Sequence, residues 1–140
     1  MEARLDGRNA VITGGSAGIG KAIAKSFLTS GANVSIVARR SEVLTAAKAE
    51  IEAEGAVTGT SGKVIALSAD IRNSEECEKV IAKTQAAFGH VDVLVNNAGT
   101  PQRGDFLEVS DEIWQDDLDL KLFSAVRLCR LVIPGMRSRK

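Results

Sequence analysis

The run Arg8-Asn9-Ala10-Val11-Ile12-Thr13 ends abruptly in Gly14-Gly15-Ser16-Ala17-Gly18-Ile19-Gly20. Residues 8–13 are short, apolar and partly β-branched, which predicts a buried strand. Beyond the glycines, Ile19, Ala22, Ile23, Phe27 and Leu28 recur at helical spacing and predict one apolar stripe on a helix that Gly31 stops. Glycines at a strand-to-helix turn let backbone approach a ligand closely, where side chains would block it. A helix starting near Gly18 would present free amides and the positive end of its dipole to a pyrophosphate. The spacing is Gly-x-x-x-Gly-x-Gly rather than Gly-x-Gly-x-x-Gly, so the strict dinucleotide-binding spacing is not met. The same glycines would also serve a tight turn that binds nothing.

Working outward, the strand-turn-helix unit repeats. Residues 33–38 predict a second strand and residues 41–54 a helix, with Ser41 as N-cap, Leu44, Ala47 and Ile51 facing inward and Gly55 as the stop. Residues 56–62, rich in Gly, Ser and Thr, read as a surface loop. A third strand follows at 63–69. A helix capped by Ser74 carries Cys77, Val80, Ile81, Thr84 and Phe88, and after Gly89 a buried-type strand runs over 91–95. The last helix starts near Ser110 or Asp111. Trp114, Leu118, Leu122, Ala125 and Cys129 form one of its faces and Leu120, Phe123 and Leu131 another, which predicts burial on both sides. Strands alternating with helices imply an α/β protein with a parallel sheet. The expected class is a Rossmann-type doubly wound sheet, here one domain over residues 1–140 that stops after the fourth strand and its helix.

Composition excludes several classes. The 140 residues carry 18 basic and 18 acidic side chains, leaving none of the electrostatic footprint of a nucleic-acid or membrane-surface binder. The charged residues 1–8 contain no apolar run of signal-peptide length, and no stretch approaches the ~18 residues of a membrane span. Cys77 and Cys129 match neither a disulfide framework nor metal-ligand spacing, so both are expected to be small buried hydrophobes in a reducing, cytoplasmic setting. No metal is expected. The acidic run Asp116, Asp117 and Asp119 reads as a solvated helix face, and His90, the only histidine, as a surface turn residue.

The strand ends hold the remaining polar candidates. Arg39 and Arg40 close the second strand about 20 residues past the glycines, where a dinucleotide fold reads the adenosine ribose. A carboxylate there would suit NAD, whereas two bidentate cations suit a 2′-phosphate, so NADP is favoured over NAD. Two solvated arginines at a helix start would leave the same trace. The third strand ends in Asp70-Ile71 and the fourth in Asn96-Asn97-Ala98-Gly99, so four strand ends converge on one crevice. Asp70 could accept from an adenine amino group or make an Asx turn, and the asparagines could tie strands together without touching a ligand.

In this order, Thr13-Gly14 through Gly18-Ile19-Gly20, Asp70 and Asn96-Asn97-Ala98-Gly99 resemble the short-chain dehydrogenase/reductase family. The similarity extends through Phe88-Gly89, Asp92, Trp114 and Pro134 and corresponds to the first half of a family member. The resemblance implies that Gly14, Ser16, Gly18, Ile19 and Gly20 hold the cofactor's phosphates. It places the adenine at Asp70 and Ile71 and the ribose at Asn96, Ala98 and Gly99, and it matches Arg39 to the position that marks NADP preference. It also implies hydride transfer between the nicotinamide and a carbonyl or secondary alcohol as small-molecule substrate.

The family's serine, tyrosine and lysine, with Tyr-x-x-x-Lys spacing, would lie past the last helix, and this chain contains no tyrosine. The 140 residues alone are therefore expected to lack a proton donor for the alkoxide. Seven residues after Trp114, where the family carries an asparagine, stands Lys121. A lysine there could meet substrate or water, or snorkel from the helix. An apolar fourth strand at a sheet edge is expected to pair with another chain, a swapped element or further residues of its own chain, and the basic end Arg137-Ser138-Arg139-Lys140 suits cleavage or disorder. The helix that contains Trp114 and Leu131 is the expected homo-oligomer surface. A non-catalytic NADP-binding module and a structural dimerisation domain are the competing classes.

Overall fold

Val11 and Ile12 are adjacent in the chain and feed two different cores, because successive side chains of a strand point to opposite faces. A computed structural model describes residues 4–139, so residues 1–3 of the charged start and Lys140 of the basic end lie outside the described residues. Its elements are β1 (Asn9–Thr13), α1 (Gly18–Thr29), β2 (Asn33–Ala38), α2 (Ser41–Thr58), β3 (Val64–Ser68), α3 (Ser74–Phe88), β4 (Val93–Val95), α4 (Asp111–Leu118), a π-helical segment (Asp119–Phe123) and α5 (Ser124–Ser138). The four strands form one parallel sheet in the order β3-β2-β1-β4, with Ile12 opposite Ile36 on one side and Val95 on the other. After β3 the chain crosses back over β1, and the point where strand order reverses, between the carboxyl ends of β1 and β4, is where such a sheet opens a crevice.

Ile12, Val34, Ile36 and Val64 face α1 and α2, where Ala24, Leu28, Leu44, Ala47 and Ile51 close over them. Val11 and Val37 face the other way, toward Cys77, Val80 and Ile81 of α3 and Leu128 and Val132 of α5. Both faces of the sheet are covered, which is the expected doubly wound α/β fold. Each fully buried Leu, Ile or Val is worth about 1.5–3 kcal/mol relative to exposure, so these two layers hold the fold together.

Local expectations fail where packing overrides sequence signals. Gly55 does not stop α2. It is buried inside the helix, where an added Cβ would lie 2.7 Å from Leu28 Cδ2, so its small size lets α2 close on α1. The helix runs on to Thr58 and ends at Gly59, in the left-handed conformation (φ 69°) that favours glycine. The expected loop therefore begins three residues later. Ser41 is the first residue of α2 rather than its cap, a position held by Arg40. Asn73, not Ser74, caps α3, its side chain accepting from the amides of Glu75 (2.9 Å) and Glu76 (3.2 Å). On α1, Ile19 and Ala22 are exposed, and the inward face is Gly20, Ala24 and Leu28.

The last helix is broken into α4, the π-helical segment and α5, with Ser110 as its cap. Its two expected apolar faces are not both buried. Leu120 and Leu131 pack on the sheet side with Leu128 and Val132 while Phe123 of the same face is exposed, and of the other face Trp114, Leu118 and Leu122 are exposed with Ala125 and Cys129 half-buried. α4 itself buries no residue. Cys77 is buried, whereas Cys129 is half-buried. β4 spans three half-buried residues at the sheet edge, shorter than the predicted run over 91–95. Among the described residues no helix is long and apolar enough to cross a membrane.

Candidate functional site

One side chain ties the two central strand ends together. The buried Thr13 hydroxyl accepts from the amides of Asn97 and Ala98, both at 3.0 Å, and donates to the Val95 carbonyl at 3.2 Å. Asn97 returns the contact, its Nδ2 donating to the carbonyls of Thr13 (3.0 Å) and Gly14 (3.4 Å). β1 and β4 are thereby fixed at the mouth of the crevice, whose cavity measures about 750 Å³.

Residues from all four strand ends line that cavity. The glycine turn contributes Gly14, Ser16, Gly18 and Ile19; β2 contributes Arg39 and Arg40; β3 leads into Asp70 and Ile71; β4 leads into Asn97, Ala98 and Gly99. Two candidates stand outside the lining. Gly20 is buried behind the turn, where an added Cβ would collide with the carbonyl oxygen of Gly14, so it lets α1 start hard against β1. Asn96 is exposed, its Nδ2 lying 3.6 Å from Cys129 Sγ, and Asn97 takes the cavity position beside it.

The turn carries positive potential that no side chain of its own cap or first turn cancels. The first amides of a helix have no intrahelical partner, Ala17 at the N-cap offers no side-chain cap, and the first turn of α1 contains no acidic residue. Arg39 and Arg40 are exposed at the cavity rim, and among the described residues neither guanidinium has an ion-pair partner. The Ser68 hydroxyl donates to the Arg39 carbonyl at 2.8 Å and fixes the backbone from which the first arginine projects.

Asp70 makes the Asx turn that its sequence context allowed, accepting from the Arg72 amide at 3.1 Å, and still lines the cavity. The Arg72 guanidinium forks onto both its carboxylate oxygens, Nε lying 2.9 Å from Oδ1. That bond holds the Asp70 carboxyl below the usual carboxylate range and raises Arg72, partial burial of each opposing the shift. The same guanidinium reaches Asp116 on α4 through Nη1.

The acidic run on the last helix is an ion-pair ladder rather than a merely solvated face: Asp116 meets Arg72, Asp117 meets Lys121 and Asp119 meets Arg127. Lys121 sits in the π-helical segment, next to Leu120, which lines the cavity. Its Cε would be 3.6 Å from a Cβ on Gly99, and its Nζ lies 2.8 Å from Asp117 Oδ1, so the stem passes beside Gly99 without lining the cavity and the charge is neutralised one turn back. His90 occupies the predicted turn, 3.2 Å from Asp92 at the far end of the sheet.

Arg72 is the site residue that sequence reasoning did not single out; Thr13 and Asn97 stand in the quoted motifs, Asn97 as a possible strand tie, but neither was given a place at the cofactor. The pairing of asparagines with neighbouring strands was legible; which of the two lines the cavity depends on where β4 ends. Nothing in the sequence links position 72 to position 116.

A family model described as short chain dehydrogenase matches residues 8–140. This chain belongs to that family. It is 36% identical over 142 residues to a short chain dehydrogenase of Pseudocercospora fijiensis, covering all of this chain and 44% of that protein. Among solved structures, L-sorbose reductase from Gluconobacter frateurii complexed with NADPH and L-sorbose superposes with a TM-score of 0.90 at 38% identity, covering 99% of this chain and 51% of that one. A metagenomic short-chain oxidoreductase in complex with NADP gives 0.87 at 33% identity, covering 96% and 59%. The chain thus spans about half the length of the relatives it matches. The glycine turn and the strand-end cavity are accordingly those of a short-chain dehydrogenase.

Proposed function

We propose that this chain supplies the NADP site of an oxidoreductase that moves hydride between a nicotinamide and a carbonyl or secondary alcohol. The observation that carries this reading is the pair of exposed arginines, Arg39 and Arg40, neither held in an ion pair among the described residues, at the rim of a cavity whose other wall is an uncapped helix N-terminus. A dinucleotide with a third phosphate group fits that charge pattern. The pyrophosphate takes the amides at Ser16, Gly18 and Ile19, with Gly14 and Gly20 keeping the backbone close, and a 2′-phosphate takes the arginine forks. Asp70 and Ile71 form the adenine wall, and Ala98 and Gly99, with Asn97 in place of the outward-facing Asn96, the ribose wall. The relatives whose structures hold NADPH or NADP support the same choice.

When bound, the nicotinamide donates or accepts the hydride. The chain's own part would be to bind the dinucleotide along the cavity, with Gly99 and Leu120 among the residues that line it. With no tyrosine among the 140 residues, they do not by themselves provide the family's proton donor, so substrate turnover belongs to the complete enzyme. We place a homo-oligomer contact on the exposed face of Trp114, Leu118 and Leu122, and the protein in the cytoplasm. Calorimetric titration with NADP and NAD separately is the test. NADP should bind at least about tenfold more tightly, roughly 1.4 kcal/mol; equal affinities would remove the role of the arginines.

A further inference from the structure

Arg72 stands at the only place among the described residues where the lip of the cavity is bonded by side chains to α4. Its guanidinium carries Asp70 on one edge and Asp116 on another, and its carbonyl accepts from Arg127 Nη1 at 2.7 Å. Arg127 in turn lies 3.5 Å from Asp119 and 5.8 Å from the Phe123 ring centroid, so it grips both ends of the π-helical segment. α4 buries no residue of its own, so its position rests on these polar bonds, on its continuity with that segment and on the edge contact of Trp114 with the exposed Phe106 ring. Leu120, which lines the cavity as Asp70 does, belongs to the segment thus held.

We propose that Arg72 is a positioning residue that sets two walls of the cavity together, fixing the Asp70 carboxylate and registering residues 119–123 against the sheet. The role rests on the cavity being the cofactor site proposed above. A cofactor that contacts Asp70 and packs on Leu120 would meet walls that move as one body, so ordering at either end is felt at the other. Charged groups that face Asp70 are Arg72 and, from the end of β2, Arg39; Glu76 of α3 accepts from the Asp70 amide. Of these, only Arg72 also touches the last helix.

The test is hydrogen exchange of the intact protein, with and without NADP, on wild type, Arg72→Met, Arg72→Lys and Asp116→Asn. Without cofactor, Arg72→Met should speed exchange of amides 111–123 about tenfold while leaving α3 unchanged. Asp116→Asn, which spares the Asp70 fork and guards against a misfolded first variant, should do the same. With NADP, wild-type amides 119–123 should slow. In Arg72→Met they should not, even at NADP concentrations that saturate it, and its NADP affinity should fall several-fold, most steeply at acid pH as Asp70 loses the partner that keeps it ionised. Arg72→Lys should recover part of both effects. Exchange over 111–123 that is identical in all four proteins overturns the inference. Arg72-dependent exchange in a protein that fails to bind NADP supports the tether and overturns the cofactor reading instead.

Discussion

The Thr13 hydroxyl lies 3.0 Å from the Asn97 amide, and through that bond a residue of the first strand positions the loop after the fourth. Val in place of Thr13 keeps the shape and removes the acceptor, leaving the amides of Asn97 and Ala98 without it. Buried donors stranded in this way cost about 1–3 kcal/mol each. We expect Thr13→Val to lower unfolding free energy by about 3 kcal/mol in urea titrations and to weaken NADP binding, with Thr13→Ser close to wild type in both. An unchanged Thr13→Val would mean the two strand ends are held elsewhere.

Gly20→Ala places a methyl group against the Gly14 carbonyl, which is backbone and cannot swing aside. Overpacking of this kind costs about 1–3 kcal/mol or more. The expected outcome is a lower melting temperature, together with loss of whatever stabilisation NADP gives the wild type, read by thermal denaturation with and without cofactor.

Arg39→Asp exchanges a cation for an anion at the rim of the cavity. NADP affinity should drop at least about tenfold while NAD affinity stays level or improves, because the new carboxylate repels a 2′-phosphate and accepts from a ribose hydroxyl. Calorimetry on both cofactors decides it; a parallel loss for the two would place Arg39 away from the 2′ position.

Burial pushes the Cys77 thiol up from its ordinary value, and its Sγ lies 3.2 Å from the Ile71 carbonyl. A thiol kept neutral in the fold and free to ionise in the unfolded chain favours folding less as pH rises. Its contribution is complete below the ordinary thiol pKa of roughly 8.5 and is lost as pH climbs through the raised native value. Native protein at pH 8 should therefore resist iodoacetamide at Cys77, and the slope of stability against pH above about 9 should flatten in Cys77→Ala. Rapid native alkylation at Cys77 would contradict the burial.

Much of this was legible in the sequence because its determinants are local. A β-branched run, a glycine cluster and a helical stripe occupy residues 8–29 in order, and the strand-end positions of Arg39 and Asp70 follow from counting strands. The end of α2 was not legible. Gly55 and Gly59 are equally good stops by composition, and the choice between them is made by Leu28, on another helix, which fills the space a side chain at 55 would need. Ile19 was misassigned for the same reason: the stripe it extends is real by spacing, but the first turn of α1 projects beyond the sheet into the cavity, where nothing of the core reaches it. The partners of the ladder lie 44 residues away for Asp116, eight for Asp119 and four for Asp117, so only the four-residue rung, at ordinary helical spacing, could have been read.

The strand order has a consequence for how the molecule is made. β1, β2 and β3 can be laid down in sequence as the nascent chain emerges, each beside the last, but β4 must travel back across that growing edge to find β1. The contacts that complete the cavity join residues 82–85 apart, among the most distant in the chain. Closing such a loop is slow relative to forming hairpins or single helices. Until residue 98 has been synthesised and docked, the free side of β1 is an open parallel edge, and the interval before that docking is when the polypeptide is most exposed to pairing with a neighbour.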